Sequence, residues 1–203
     1  NCFCIEAFFR IKSSLIVRAA PEDPELSDAV NIKSAEKYIL PGTSIKGAVR
    51  ARSERILKTL LKDENKAKEI LIKLFGNVDD ETKSKDAIKS RVKIDESVLD
   101  AEMITAELQN RIKIDRFTGG TIKSALFDTM PLWEKNDDKY FKISMRINGF
   151  ADFEAGLLLL ILKDLWTGDL PIGGEKSIGR GVLLGKSAVI RISDQPDIVI
   201  KEE

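Results

Sequence analysis

Phe3, Ile5, Ala7, Phe9 and Ile11 alternate with Cys4, Glu6, Phe8, Arg10 and Lys12. A period of two over ten residues predicts a strand with one buried face. Leu15-Ile16-Val17 extends the signal past Ser13-Ser14. The same alternation returns at Tyr140–Gly149, with Phe141, Ile143, Met145 and Ile147 on the apolar side, and Arg180 to Ile192 predicts a further strand before a polar tail. Helical spacing occupies the intervals. After the chain break at Pro41-Gly42, Thr43 or Ser44 is a candidate helix cap. Ile45, Ala48, Val49, Ile56 and Leu60 then mark one face, with Arg52 as its one polar member. Phe153 to Trp166 is apolar on nearly every side and predicts a central buried helix.

Between these elements lies a less regular region of about 62–132, read as an insertion. LKDENKAKEILIKLFG predicts an amphipathic helix ending at Gly76, and the polar stretch 77–90 has no periodicity and reads as mobile. RVKIDESVL suggests a short strand, and AEMITAELQN a brief helix or loop. RIKIDRFTGGTIKSALF alternates, turns at Thr118-Gly119-Gly120-Thr121 and returns, predicting a hairpin over about 110–128. The polar run 19–37, with Pro21 and Pro24, reads as a surface loop. The order is strand, helix, insertion, strand, helix, strand. It predicts an α+β chain, a single domain over 1–203 with a ferredoxin-like (RRM-like) core split by the insertion.

Composition narrows the chemistry. The chain has 203 residues, with 33 basic side chains balanced by 33 acidic ones. A nucleic-acid site would therefore be a local basic stripe on a neutral body. Histidine is absent, which excludes a Ser-His-Asp triad, a Cys-His pair and imidazole acid–base catalysis. Cys2 and Cys4 cannot complete a zinc site of the usual Cys/His type and are expected to be reduced packing residues. The longest apolar run, Gly156 to Leu162, is too short to span a bilayer and no secretory signal is visible, so the expected location is cytoplasmic.

Three stretches carry candidate binding chemistry. In LPIGGEKSIGRGVLLG, Leu170 to Gly185, five glycines interleave with Lys176, Ser177 and Arg180. Such a loop can present bare N–H groups and two cations to a phosphate, or it can be a plain turn between helix and strand. Lys46 and Arg50 are i,i+4 neighbours at the start of the first helix. Cations there oppose the helix dipole, which suits a bound anion; the alternative is a solvated helix edge. The hairpin carries Arg111, Lys113, Arg116 and Lys123 with Phe117 at its tip, as either a nucleic-acid ribbon or a solvated one.

LPGTSIKGAVR at 40–50, LFG at 74–76 followed by RVKID at 91–95, IDRFTGG at 114–120 and GGEKSIGRG at 173–181 together resemble the RAMP superfamily of CRISPR-associated proteins. Their order and spread, from about residue 3 to 193, are most similar to the repeating backbone subunit of type III effector complexes. The resemblance implies an RRM-like palm with a thumb hairpin. It also implies stacking with further copies of the chain along a guide crRNA, in company with other effector subunits, a complementary target RNA and no membrane.

By the same resemblance, Ser44, Lys46, Gly47 and Arg50 would grip guide phosphates. Lys113, Arg116, Phe117, Thr118, Gly119 and Gly120 would form the thumb that enters between guide and target. Gly174, Lys176, Ser177 and Arg180 would line the RNA track, with the loop packed against the first helix. Catalytic members place an aspartate in the loop before the first helix. Of Asp23 and Asp28, Asp28 fits the pattern better and would be both catalytic residue and Mg²⁺ (or other divalent cation) ligand. A carboxylate there can hold a metal or orient a 2′-OH for in-line attack, or be a solvated loop acid. The alternatives are a non-catalytic crRNA-binding scaffold and a crRNA-processing endoribonuclease, the latter disfavoured by the missing histidine. A dinucleotide enzyme needs the order strand, glycine loop, helix, and here the loop follows a helix.

Overall fold

The computed structural model describes residues 1–19, 29–77, 87–193 and 195–202. The first alternating run forms β1 (Cys2–Ile11), whose odd-numbered residues from Phe3 to Ile11 are all buried. Its neighbours are β5 (Phe141–Asn148) on one side and β6 (Leu183–Ile192) on the other, both antiparallel, so that Ile5 stands between Met145 and Ile190. Beyond them lie β2 (Val92–Ile94) and β7 (Ile198–Lys201), giving a five-stranded antiparallel sheet in the order β7-β6-β1-β5-β2. The run expected to be a polar tail thus supplies a strand at the sheet edge, because Ile198, Val199 and Ile200 can pair with Ile190, Val189 and Ala188. The fold is α+β.

Two helices connect these strands. α1 (Gly42–Leu61) runs between β1 and β2, and α3 (Asp152–Trp166) between β5 and β6. α2 (Glu64–Phe75) packs on α1 and stops at Gly76, whose φ of 84° closes the helix. Asp63 caps it, its Oδ1 accepting from the N–H groups of Asn65 and Lys66. α3 is not buried all round. Leu157, Leu158, Ile161, Leu162 and Leu165 face the core, whereas Phe153, Leu159 and Leu160 are exposed. Its acids explain two arginines elsewhere. Arg52, the polar residue on the apolar face of α1, donates to Asp164 at 2.7 Å, and Arg91 pairs with both oxygens of Glu154. These contacts join helix to helix and helix to insertion without leaving a buried carboxylate unpaired.

The insertion builds small sheets around this core. Ile104–Ala106, within the stretch expected to be helix or loop, is a strand instead. It pairs with Leu132–Glu134, which in turn pairs with Ser14–Leu15, and those partners supply the ladder bonds that local sequence does not announce. A second three-stranded set joins Lys33–Ser34, Lys37–Leu40 and Ser97–Leu99. β3 (Gln109–Ile114) and β4 (Thr121–Thr129) form a two-stranded antiparallel ribbon with a register shift between Ile112 and Ile114. Residues 20–28 and 78–86, which hold Asp23, Asp28 and most of the polar stretch, lie outside the described residues.

Candidate nucleic-acid interface

α1 begins without a side-chain cap. Its N-cap is Pro41, and neither Thr43 nor Ser44 closes a cap hydrogen bond; the Pro41 carbonyl instead accepts from the N–H groups of Ser44 and Ile45. Gly42 follows because a Cβ there would run into the Ile94 carbonyl of β2. The first turn carries no acid. Lys46 and Arg50 are half-buried, and among the described residues neither forms an ion pair. Burial, together with the Arg50 charge, lowers the pKa of Lys46. Gly47 is exposed, and nothing would meet a Cβ there. The surface between the two cations is therefore bare backbone. Free amides, two cations and an open approach suit an anion.

The hairpin tip is exposed in full. Asp115 folds it, its Oδ1 accepting from the N–H groups of Phe117 and Thr118 at 2.8 Å each. Those two bonds hold the Asp115 carboxyl below the usual range, the Thr118 bond contributing most. Gly119 takes a φ of 69° to bring the chain back, and its N–H and that of Asp115 close the turn with the carbonyls of Asp115 and Gly120. Phe117 is left 99% exposed beside Lys113 and Arg116, which form no ion pair among the described residues. An aromatic ring and two cations on a solvent-facing tip can stack on a base and hold its backbone.

The glycine-rich loop differs from its sequence reading. Two of its glycine amides are turned inward: Gly174 N–H donates to the Ile16 carbonyl and Gly181 N–H to that of Ser14. Gly181 has a φ of 79°, and a Cβ there would run into the backbone of Ile172; one at Gly185 would run into the Trp166 indole. Arg180 is 3% exposed. Its Nε lies 2.8 Å from Glu175 Oε2, its Nη2 donates to Gln109 Oε1 at 2.6 Å, and its Nη1 faces Ser14 Oγ at 3.3 Å. Arg180 is thus a buried tie between loop and hairpin base and does not face solvent as a phosphate ligand. Lys176 and Ser177, on a short 3-10 turn (Lys176–Ile178), remain exposed.

Hydrogen bonds of Gly174, Glu175 and Gly181 run to the Ser14–Arg18 segment, and that of Arg180 Nη2 to Gln109. That segment is bonded in turn to Asn31 and Ile32, and Ile32 to Ile39, two residues before the N-cap of α1. One continuous run of backbone contacts therefore links the loop to the start of α1. Sequence reasoning missed Glu175, Arg18, Arg111 and Gln109 as a group. Glu175 stands in plain view between Gly174 and Lys176, but its partners come from remote parts of the chain. Among the described residues no three acidic or thiol side chains come together to hold a metal ion, and Asp28 lies outside them. Among them, too, no helix is long and apolar enough to cross a membrane.

No curated protein sequence matches the chain. The family model of the RAMP superfamily matches residues 8–183. That span takes in the end of β1, the uncapped start of α1, the hairpin and the glycine-rich loop as far as Leu183, and the chain belongs to the RAMP superfamily of CRISPR-associated, RNA-binding proteins.

Proposed function

We propose that this chain is a guide-RNA-binding backbone subunit of a type III-like CRISPR effector complex. It stacks with further copies of itself along the crRNA and cleaves bound target RNA in a metal-dependent reaction using Asp28. The observation that carries the reading is the start of α1, where Lys46 and Arg50 stand without carboxylate partners among the described residues, beside amides that no side chain caps. The strand order β6-β1-β5-β2, with α1 and α3 as its two connections, supports a ferredoxin-like palm. The ribbon β3–β4, ending in exposed Phe117, supports a thumb. Contacts of this kind grip sugar and phosphate and carry no sequence information, which base pairing between guide and target supplies. The Asp28 part rests on the resemblance of its loop sequence.

The double variant Lys46→Ala, Arg50→Ala tests the binding. Its affinity for single-stranded RNA should fall irrespective of sequence, and the slope of log affinity against log salt should flatten by about 1.4 for two lost phosphate contacts. An unchanged slope would refute this placement. Cleavage is tested in the assembled complex, with guide, complementary RNA and Mg²⁺, comparing wild type with Asp28→Ala. Regularly spaced cuts that disappear in the variant support the reaction. Equal cutting by both removes Asp28 from it, and no cutting by either leaves a guide-binding scaffold.

A further inference from the structure

Three arginines converge on a single carboxylate at the base of the hairpin. Arg18 Nη2 lies 2.7 Å from Glu175 Oε1, while Arg180 Nε and Arg111 Nη1 lie 2.8 and 3.1 Å from Oε2. The arginines come from the segment after β1, from the loop itself and from β3, so the carboxylate joins three separate parts of the chain. Exposure rises stepwise across the group: the side chains of Arg180 and Glu175 are 4% and 9% exposed, Arg111 25% and Arg18 59%. Glu175 holds this place in a left-handed backbone conformation, φ 54° and ψ 34°, which a residue with a Cβ adopts only at a cost.

Charge and geometry both leave the cluster incomplete. Among the described residues three cations face one anion, and a partly buried excess of positive charge calls for a further anion. The other two nitrogens of Arg180 donate to Gln109 and Ser14. Arg18 and Arg111 each meet Glu175 through one terminal nitrogen, and among the described residues neither has another ion-pair partner. A guanidinium carries five N–H donors in a rigid planar fork, so among the described residues each keeps an edge that no carboxylate takes. Burial pushes the Glu175 carboxyl up, but the Arg18 hydrogen bond and the charges of Arg111 and Arg180 outweigh it and hold the group below its usual range.

We propose that Glu175 is a positioning residue. It pins one edge of Arg18 and of Arg111 so that their other edges clamp one phosphodiester of an RNA strand passing the hairpin base. The inference rests on the RNA-binding reading and deepens it: Arg18 and Arg111 are the phosphate ligands of this corner, and Arg180 is the buried strut behind Glu175. Arginine suits the task because its fork matches two phosphate oxygens at once.

The test is a salt series of binding to a short single-stranded RNA, and to single-stranded DNA of the same sequence, for wild type, Glu175→Gln, Arg111→Lys and the double variant Arg18→Ala, Arg111→Ala. Glu175→Gln removes a negative charge next to the proposed RNA path, so charge alone would tighten binding. The clamp demands the opposite sign, a weakening of about tenfold, the size of one charge-assisted hydrogen bond. Arg111→Lys keeps the charge, loses the fork and should weaken binding as well. The double variant should flatten the salt slope by about 0.7, one single-strand phosphate. Binding by Glu175→Gln at or above the wild-type level overturns the proposal while leaving the RNA-binding reading intact. If Glu175→Gln fails to fold, unchanged affinity of Arg111→Lys overturns it equally. A loss confined to RNA would move the contact to the 2′-OH and overturn the phosphate assignment, whereas an equal loss on DNA supports it. Wild-type chain that binds neither strand at low salt removes the broader reading and the clamp together.

Discussion

The N-terminal half of α1 and the glycine-rich loop before β6 each set two cations among glycines. Lys46 and Arg50 flank Gly47 in one, and Lys176 and Arg180 lie between Gly174 and Gly181 in the other. In the folded chain they part company. α1 has no acid in its first turn, and among the described residues its two cations form no ion pair at an open surface. The loop folds Glu175 inward, and the carboxylate takes Arg180 with it. Whether a cation of these two stretches faces solvent thus depends on its nearest carboxylate. At α1 the residues are arranged for a ligand, and in the loop they are arranged first for one another.

The largest effect should come from testing that division through stability. Arg180→Ala leaves Glu175 buried with one partner fewer and frees Gln109 of its donor, so it should cost about 3 kcal/mol of folding stability. Lys46→Ala, at a site with no ion pair among the described residues, should change stability by less than about 0.5 kcal/mol. Chemical denaturation of both variants checks the pair. Equal, small losses would erase the distinction between a buried tie and a binding cation.

Glycines sharpen the same contrast at somewhat smaller size and with opposite signs. Gly181→Ala forces a Cβ into the Ile172 backbone at a φ of 79° and should destabilise by about 2 kcal/mol. Gly47→Ala places its Cβ in open space inside a helix and should stabilise by about 0.5–1 kcal/mol. The added methyl covers the bare backbone between Lys46 and Arg50, so RNA affinity should fall while the melting temperature rises. A Gly47→Ala variant that gains stability and keeps its full affinity would show that the strand does not approach α1 there.

What the sequence discloses follows the range of the interaction involved. β1 and β5 are legible because a strand with one buried face writes its period into consecutive residues, and both alternate as they pair. α2 is legible down to Gly76 for the same local reason. Non-local partners are not. Arg52 looks misplaced on the apolar face of α1 until Asp164, 112 residues away, is seen to receive it. Ile104–Ala106 becomes a strand because Leu132–Glu134 lies beside it, and Ile198–Lys201 because β6 offers an edge. The uniform apolar character of α3 hides which turn meets solvent, and Leu159 and Leu160 do. Of the interface, the α1 cations and the hairpin tip are local features and could be picked from the sequence. The arginine cluster around Glu175 could not, since its four side chains span residues 18 to 180.

The smallest expected effect is a difference in pH response between the two regions. The folded Glu175 carboxyl lies below its usual range, because hydrogen bonding to Arg18 and the charges of Arg111 and Arg180 outweigh burial. Its contribution to stability is therefore complete above the ordinary glutamate range and is lost as pH falls through that range and on through the lower folded value. The α1 turn has no carboxylate to titrate. Hydrogen exchange should then show the Gly174 and Gly181 amides, bonded to Ile16 and Ser14, losing protection on acidification ahead of the amides within α1. Glu175→Gln should abolish that difference, since its amide oxygen still accepts but no longer titrates. The change is modest because the protonated acid keeps an acceptor oxygen for Arg18. If the loop amides stay protected as long as those of α1 across the same range in wild type, the carboxylate is not what holds the loop against the hairpin base.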